Sequence, residues 1–255
     1  MGYVVAVPSH RRADVFEKRA YHMLTPEVRR RTFVFVQNPE DYAAYSERFP
    51  DVSVIPTKDG SGRWTRGYAL TLSFIRKYFP LGKQICFLHD DVQGVVRSVP
   101  RKDAPPACFE EGVNFKLFVE KVFKKMQTKG IRLAGVYPSR RGDNCQREQE
   151  TEGLKFIYDP LHFEVNSRLP PCRFESKCDY EMTAEAFLRH GAVLRFNRYS
   201  AKTRHDPLRV KSSIQRNADI LRQDAEGLLR TYPQLFKGMR YFPGSQDYSM
   251  IFAKP

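Results

Sequence analysis

No stretch of the 255-residue chain comes near eighteen consecutive apolar residues, so a membrane-spanning helix is not expected. The first residues, MGYVVAVPSHRR, have no basic n-region, and their apolar run is only a strand's length; no secretory signal is expected. Cysteine is scarce. Cys86, Cys108, Cys145, Cys172 and Cys178 are an odd set of five with no CxxC pair. That argues against a zinc site or a disulfide framework and predicts reduced thiols in a cytoplasmic protein. No internal repeat or long low-complexity linker interrupts the chain. Acidic residues are short as well: 29 Asp and Glu against 43 Lys and Arg leave a net charge of +14. An enzyme of small neutral metabolites has no use for such an excess. A polyanionic partner does, nucleic acid before an anionic membrane surface.

Apolar residues are plentiful enough for a packed core, at 41% of the chain, and exclude a disordered reading. The first ninety residues alternate strand and helix. Tyr3–Val7, Thr32–Gln37, "VSVIP" and Gln84–Leu88 read as strands. "ADVFEKRAYHML" and "PEDYAAYSERF" read as helices between them. After the glycine-rich "KDGSGRW", residues Tyr68, Leu72, Ile75 and Phe79 recur at helical spacing. That alternation predicts a mainly parallel sheet with helices on both faces. Later, "NFKLFVEKVFKKMQ" places Phe115, Phe118, Val119, Val122 and Met126 on one helical face. "RLAGVY", "LKFIY" and "VLRF" are expected strands, and "LHFEVNS" a half-exposed one. "DYEMTAEAFLRHG" is an expected helix capped by Gly191, and "IQRNADILRQDAEGLLRTY" another.

One strand ends in chemistry. "QICFLHDDVQGV" runs from apolar residues straight into His89, Asp90 and Asp91. Ligands of parallel α/β sheets bind outside the carboxyl ends of the strands. Carboxylates with an imidazole at such an end suit magnesium or manganese beside a nucleotide diphosphate. A loop carboxylate capping the next turn is the bland alternative. A His-Asp phosphohydrolase doublet would sit on a helix instead.

In this context, "hhhhDxD" after three βα units resembles the GT-A glycosyltransferases, with His89 at the first Asp position. "VVAVPSHRR" resembles their first strand and nucleotide-binding loop, and "DGSGRWTRGYALTLSF" the segment before the metal motif. "KCDYEMTAEAFLRHG" resembles the acceptor-side helix that carries the base in inverting members, with Cys178 where many relatives have Glu. "SAKTRHD" resembles the late basic loop whose His completes the metal site. Motif order and charge are most similar to the TET-associated, base-J-type DNA glycosyltransferases of phages and protists.

The resemblance implies one α/β domain over residues 1–255: a GT-A, Rossmann-type nucleotide-sugar-binding half, 1–100, and an acceptor-side half, 101–255. It implies Mn2+ or Mg2+ held by Asp91, with His89 and His205 as further ligands. It implies a UDP-sugar contacted by Pro8, Ser9, Arg11, Arg12, Gln37, Arg63, Arg66, His89 and Asp90. Asp179 is the expected base, ionised at a helix N-terminus, and Glu181 the second choice. An N-cap role is the plain alternative for Asp179. Trp64, the only Trp, either walls the site or simply packs. Residues 195–222 hold eight Arg or Lys against Asp206 and Asp219, which suits DNA phosphates on the acceptor side. The implied reaction is transfer of a hexose, with inversion, to a hydroxymethylated pyrimidine in DNA, in cytoplasm or, for a eukaryotic chain, nucleus. Oligomeric state is left open. Two alternatives stand: the same fold acting on a protein, glycan or lipid, and an inactive relative that only binds nucleic acid.

Overall fold

Strands buried on both faces build the centre of the computed structural model, which describes residues 2–99, 108–138, 149–203, 217–243 and 247–253. β1 (Val4–Ser9), α1 (Ala13–Phe16), α2 (Pro26–Arg29), β2 (Thr32–Val36), α3 (Pro39–Arg48) and β3 (Ser53–Pro56) come first. A π-helical turn, Glu17–Tyr21, extends α1. α4 (Tyr68–Tyr78), β4 (Gln84–Leu88), β5 (Val92–Val99), β6 (Cys108–Glu110), α5 (Phe115–Lys129) and β7 (Leu133–Val136) follow. Then come β8 (Glu150–Gly153), β9 (Leu161–Val165), α6 (Cys178–His190), β10 (Val193–Phe196), β11 (Tyr199–Thr203), α7 (Ala218–Thr231), β12 (Phe236–Phe242) and β13 (Asp247–Phe252).

Eight strands make one sheet in the order β3-β2-β1-β4-β9-β7-β10-β8. β1 to β4 are mutually parallel, β9 runs against β4 and β7, and β10 is parallel to β7. Alternation sorts the side chains. Val5, Val7, Val34, Val36, Cys86 and Leu88 face α5 and the N-terminal helices, where Phe118, Val119, Val122 and Met126 meet them. Val4, Ala6, Phe35, Ile85 and Phe87 face α4, whose Leu72, Ile75 and Phe79 cover them. The expected helical stripes are therefore the buried faces of α4 and α5. The chain steps from β1 outward to β3 and then returns to the other side of β1 as β4. That reversal opens a crevice between the carboxyl ends of β1 and β4.

Three expectations need correction. "LKFIY" is no strand. Ile157 instead lies against Gly135, its N–H donating to Thr183 Oγ1 (3.2 Å), while Phe156 stacks on Tyr180. The short edge strand is β8, just before it. β9 is not half-exposed: His162 and Glu164 are buried between β4 and α4. Alternation there tracks charge rather than solvent. Arg76 of α4 donates to both Glu164 oxygens (3.0 and 2.6 Å), and His162 stacks on Phe87. Burial opposes the carboxylate, but Arg76 outweighs it and holds Glu164 down to about 2. Finally, Cys172 and Cys178 are joined in a disulfide, against the expectation of reduced thiols. Five residues separate them, and the turn before α6 folds one back onto the other.

The Arg76–Glu164 pair yields a stability prediction. Arg76→Ala leaves a buried carboxylate alone and should cost about 3–5 kcal/mol. Urea denaturation at pH 7 checks it. Arg76→Met with Glu164→Leu should recover most of that loss. If the single variant unfolds at the wild-type midpoint, the pair carries no such cost.

Candidate functional site

The crevice is built from the loops that end β1 and β4. β1 pairs with β4 only as far as Ala6, opposite Phe87, so Pro8 and Ser9 run on beside β2 alone. Pro8 is buried and has no side-chain polar atom to offer the site. Ser9 donates to Asp90 Oδ2 (2.5 Å). Its single proton is then spent, so Tyr45 donates to Ser9 across the 2.5 Å contact between them. Arg11 is left-handed at φ 55°, a strain of about 1–2 kcal/mol for a side-chain-bearing residue. Asp41 holds it there by accepting the Arg11 N–H (2.8 Å), and Asn38, the N-cap of α3, fixes Asp41 in turn. This bend leaves Arg11 exposed and turns Arg12 inward. The Arg12 guanidinium spans both carboxylates, 3.1 Å from Asp90 and 3.4 Å from Asp91.

Asp90 is therefore fully engaged. Burial raises its carboxyl, Arg12 and Ser9 pull against it, and it settles at about 6. Asp91 differs. One oxygen faces Arg12; the other, Oδ1, is buried without a hydrogen-bond partner among the described residues. A buried carboxylate oxygen without a donor is costly, and it is the acceptor that a cation would satisfy.

His89 does not turn to the same point. Its Nε2 lies 3.0 Å from Asp159 Oδ2 and 3.1 Å from the Tyr68 hydroxyl, which itself donates to Asp159 Oδ1 (2.5 Å). Burial works against a charged ring, but Asp159, with Asp91 and Asp90 behind it, pushes His89 up to about 9. With Nε2 taken by Asp159 and the Tyr68 hydroxyl, that nitrogen is not free for the metal expected beside Asp91. His205 lies outside the described residues. Thr203, two residues before it, pairs with Val92, next to Asp91. Among the described residues no three His, Cys, Asp or Glu surround one metal position. What Asp91 offers still fits magnesium or manganese, which bind through one or two carboxylates plus substrate phosphates.

Asp179 comes from α6 and feels the charge of Asp159. It is half-buried in the first turn of α6, and the residue at the N-cap is Lys177, which corrects the capping alternative. The helix N-terminus does not keep it ionised as expected. Burial first, and then the charge of Asp159, raise its carboxyl to about 7. The hydroxyl of Tyr158 is raised to about 12 by burial and by the negative charges of Asp179, Asp91 and Asp159, which therefore share one electrostatic neighbourhood.

Other expected residues serve elsewhere. Glu181 accepts from the Arg173 and Phe174 N–H groups (2.7 and 3.1 Å) and from Arg173 Nε (2.8 Å). It is consumed in pinning the 172–175 segment and cannot act as a base. Gln37 Oε1 accepts the Gly67 N–H (3.0 Å) at the start of α4. Gly67 has φ 95°, and a Cβ there would meet Glu175 Oε1, which accepts the Tyr68 N–H (2.7 Å). These two contacts fix the end of α4 that carries Tyr68. Arg63 projects from an exposed turn and pairs with Asp59 (3.3 Å). Arg66 has no carboxylate partner among the described residues. Neither bonds to Asp90 or Asp91.

The sequence reading missed Asp159, Tyr68, Tyr158 and Tyr45. For Asp159 a signal exists: it precedes β9, whose Leu161 pairs with Leu88 at the end of β4. Only the antiparallel pairing, which the pattern does not encode, makes that adjacency visible.

No protein-family model and no curated protein sequence matches the chain. Solved structures do. The glucosyl-3-phosphoglycerate synthase of Mycobacterium tuberculosis in complex with Mn2+ and UDP-glucose superposes with a TM-score of 0.58 at 13% identity, covering 99% of this chain and 87% of that one. The same enzyme with phosphoglyceric acid gives 0.57 at 12%, covering 98% and 86%. Mannosyl-3-phosphoglycerate synthase from Rubrobacter xylanophilus gives 0.50 at 12%, covering 98% and 84%. Likeness at this level speaks to architecture, and with the observed sheet order it gives the chain the GT-A glycosyltransferase fold.

Proposed function

We propose that the protein is a metal-dependent glycosyltransferase that moves a hexose from a UDP-sugar to a hydroxymethylated pyrimidine in DNA. One observation carries the transferase reading: Asp91 presents an open, buried oxygen at the β1–β4 crevice. The fold neighbour that binds Mn2+ and UDP-glucose supports a nucleotide-sugar donor. In this reading Asp91 and His205 hold Mn2+ or Mg2+. Such a cation, when bound, neutralises charge on the departing diphosphate. Arg12 stands beside the same leaving group and fixes the two carboxylates. The His89 imidazolium, held by Asp159, adds a second fixed positive charge. Asp179 takes the proton of the acceptor hydroxyl as the new glycosidic bond forms. Attack on the anomeric carbon opposite the diphosphate then inverts that centre.

The DNA acceptor rests on the net charge of +14. A base in a duplex would have to be extruded to reach the crevice. The test is UDP release from UDP-glucose with Mn2+, with and without hydroxymethylated DNA. We expect release that depends on the metal and is stimulated by the modified DNA. Turnover indifferent to DNA would move the acceptor to a protein, glycan or lipid. Salt-sensitive DNA binding with neither UDP binding nor turnover would leave only the nucleic-acid-binding alternative.

A further inference from the structure

We infer that a groove outside the catalytic crevice, between the 58–66 turn and the outer side of α4, binds single-stranded nucleic acid. The groove encloses ≈ 820 Å³ and contains neither Asp91 nor Asp179. Its walls follow from α4 having a second apolar stripe. Tyr68, Leu72, Ile75 and Phe79 line up on the sheet side. Leu70, Phe74 and Tyr78 recur four apart along the helix flank, where Leu70 is 53% and Tyr78 45% exposed and the inner edges of Phe74 and Tyr78 meet Phe35 of β2. The Phe74 and Tyr78 rings stack, 6.3 Å apart and 21° between planes. Trp64 closes the other wall, held by the bridge between Lys58 and Trp64.

The charge on these walls is unspent. Lys58, Arg66 and Lys77 have no carboxylate partner among the described residues. The one acidic residue, Asp59, is committed to its own turn, accepting the Ser61 and Arg63 N–H groups (2.9 and 3.0 Å). Lys58 Nζ lies 4.9 Å from the centre of the Trp64 ring, so cation and ring are presented together.

Unpaired cations interleaved with flat rings select the occupant. An acidic peptide satisfies the cations but gains nothing from three aromatic walls. A lipid surface is flat and cannot follow a concave groove. A duplex keeps its base faces stacked on each other. A single strand offers phosphates and free base faces at once. From Leu70 to Tyr78 the helix runs about 12 Å, room for a short run of nucleotides. This inference goes beyond the transferase reading and stands whether or not sugar is transferred.

Trp64 is the only Trp, so intrinsic fluorescence reports on this groove directly. Titration with a thymidine 12-mer, without nucleotide sugar, should quench the emission saturably. With three phosphate contacts, affinity should fall about twentyfold between 50 and 200 mM salt. Lys58→Glu with Lys77→Glu, both surface changes, should weaken binding at least about tenfold and flatten the salt response to about threefold. Circular dichroism of that variant should match the wild type. Tyr78→Ser should weaken binding with the salt response unchanged. The inference is overturned if the 12-mer leaves Trp64 emission unmoved. It is overturned equally if poly-glutamate or a blunt duplex quenches as well, or if the double variant binds as the wild type does. Failure of UDP release leaves every one of these readings intact, so the two proposals fail separately.

Discussion

Asp179→Asn should lower kcat by about 10²–10⁴ while UDP-sugar binding changes little. Asn keeps the size and the first-turn position but cannot take a proton. The pH profile adds a second signature. A carboxyl raised to about 7 is protonated below that pH, so wild-type kcat should climb to a plateau above it. The residual activity of the variant should lack that limb. Stability should move the other way. The folded carboxyl titrates near 7, the unfolded one at 3.8, so the folded state holds the proton more tightly. The stability this confers is full below 3.8 and is lost as pH rises through 7. Asn carries no such cost. The variant should therefore melt above the wild type at pH 8, by about 2–4 °C per kcal/mol recovered, with the difference closing near pH 4. Pre-steady-state kinetics and thermal melts across that range check both halves. A variant with normal kcat would remove Asp179 from the base's place; one with low kcat but no alkaline gain in Tm would show that its carboxyl is not raised.

The parallel half was legible because its strands are covered on both faces and its helices on one. Buried runs such as "QICFL" and a stripe at Tyr68, Leu72, Ile75 and Phe79 carry that information locally. Beyond β4 the information becomes non-local. β9 reads as amphipathic because Glu164 faces a buried arginine from α4, not water. β5 and β11 pair with each other away from the main sheet, and "VQGVVRSV" does not announce it. The site divides along the same line. Asp90 and Asp91 stand out as charges ending an apolar strand. Of the adjacent arginines, only the left-handed turn at Arg11 decides that Arg12 faces inward. His89 could be read as a ligand until Asp159, seventy residues away in sequence, was seen to hold its Nε2. Glu181 and Gln37 have the chemistry of site residues but spend it on backbone N–H groups, a distinction invisible without tertiary contacts.

Asp91→Ala should abolish turnover, by about 10³-fold or more, if several kcal/mol of leaving-group stabilisation are anchored there. The fold should survive. The side chain removed has one oxygen shared with Arg12 and another with no partner among the described residues, and Arg12 keeps Asp90 at 3.1 Å. Removing a buried, half-satisfied charge relieves desolvation, so Tm should hold or rise. Asp91→Asn separates charge from shape: the amide restores the volume and a hydrogen-bonding oxygen, yet lacks the charge that draws a divalent cation. It should be nearly as inactive as the alanine variant. Calorimetric titration with UDP supplies a readout independent of turnover. Wild-type affinity for UDP should rise when Mn2+ is added, and that increment should vanish in both variants while metal-free binding persists. If either variant kept the Mn2+ increment, the cation would be held elsewhere and the open oxygen of Asp91 would be a packing cost of the crevice. If both lost metal-free UDP binding as well, Arg12 would be the group at fault, freed to collapse onto Asp90 and close the pocket.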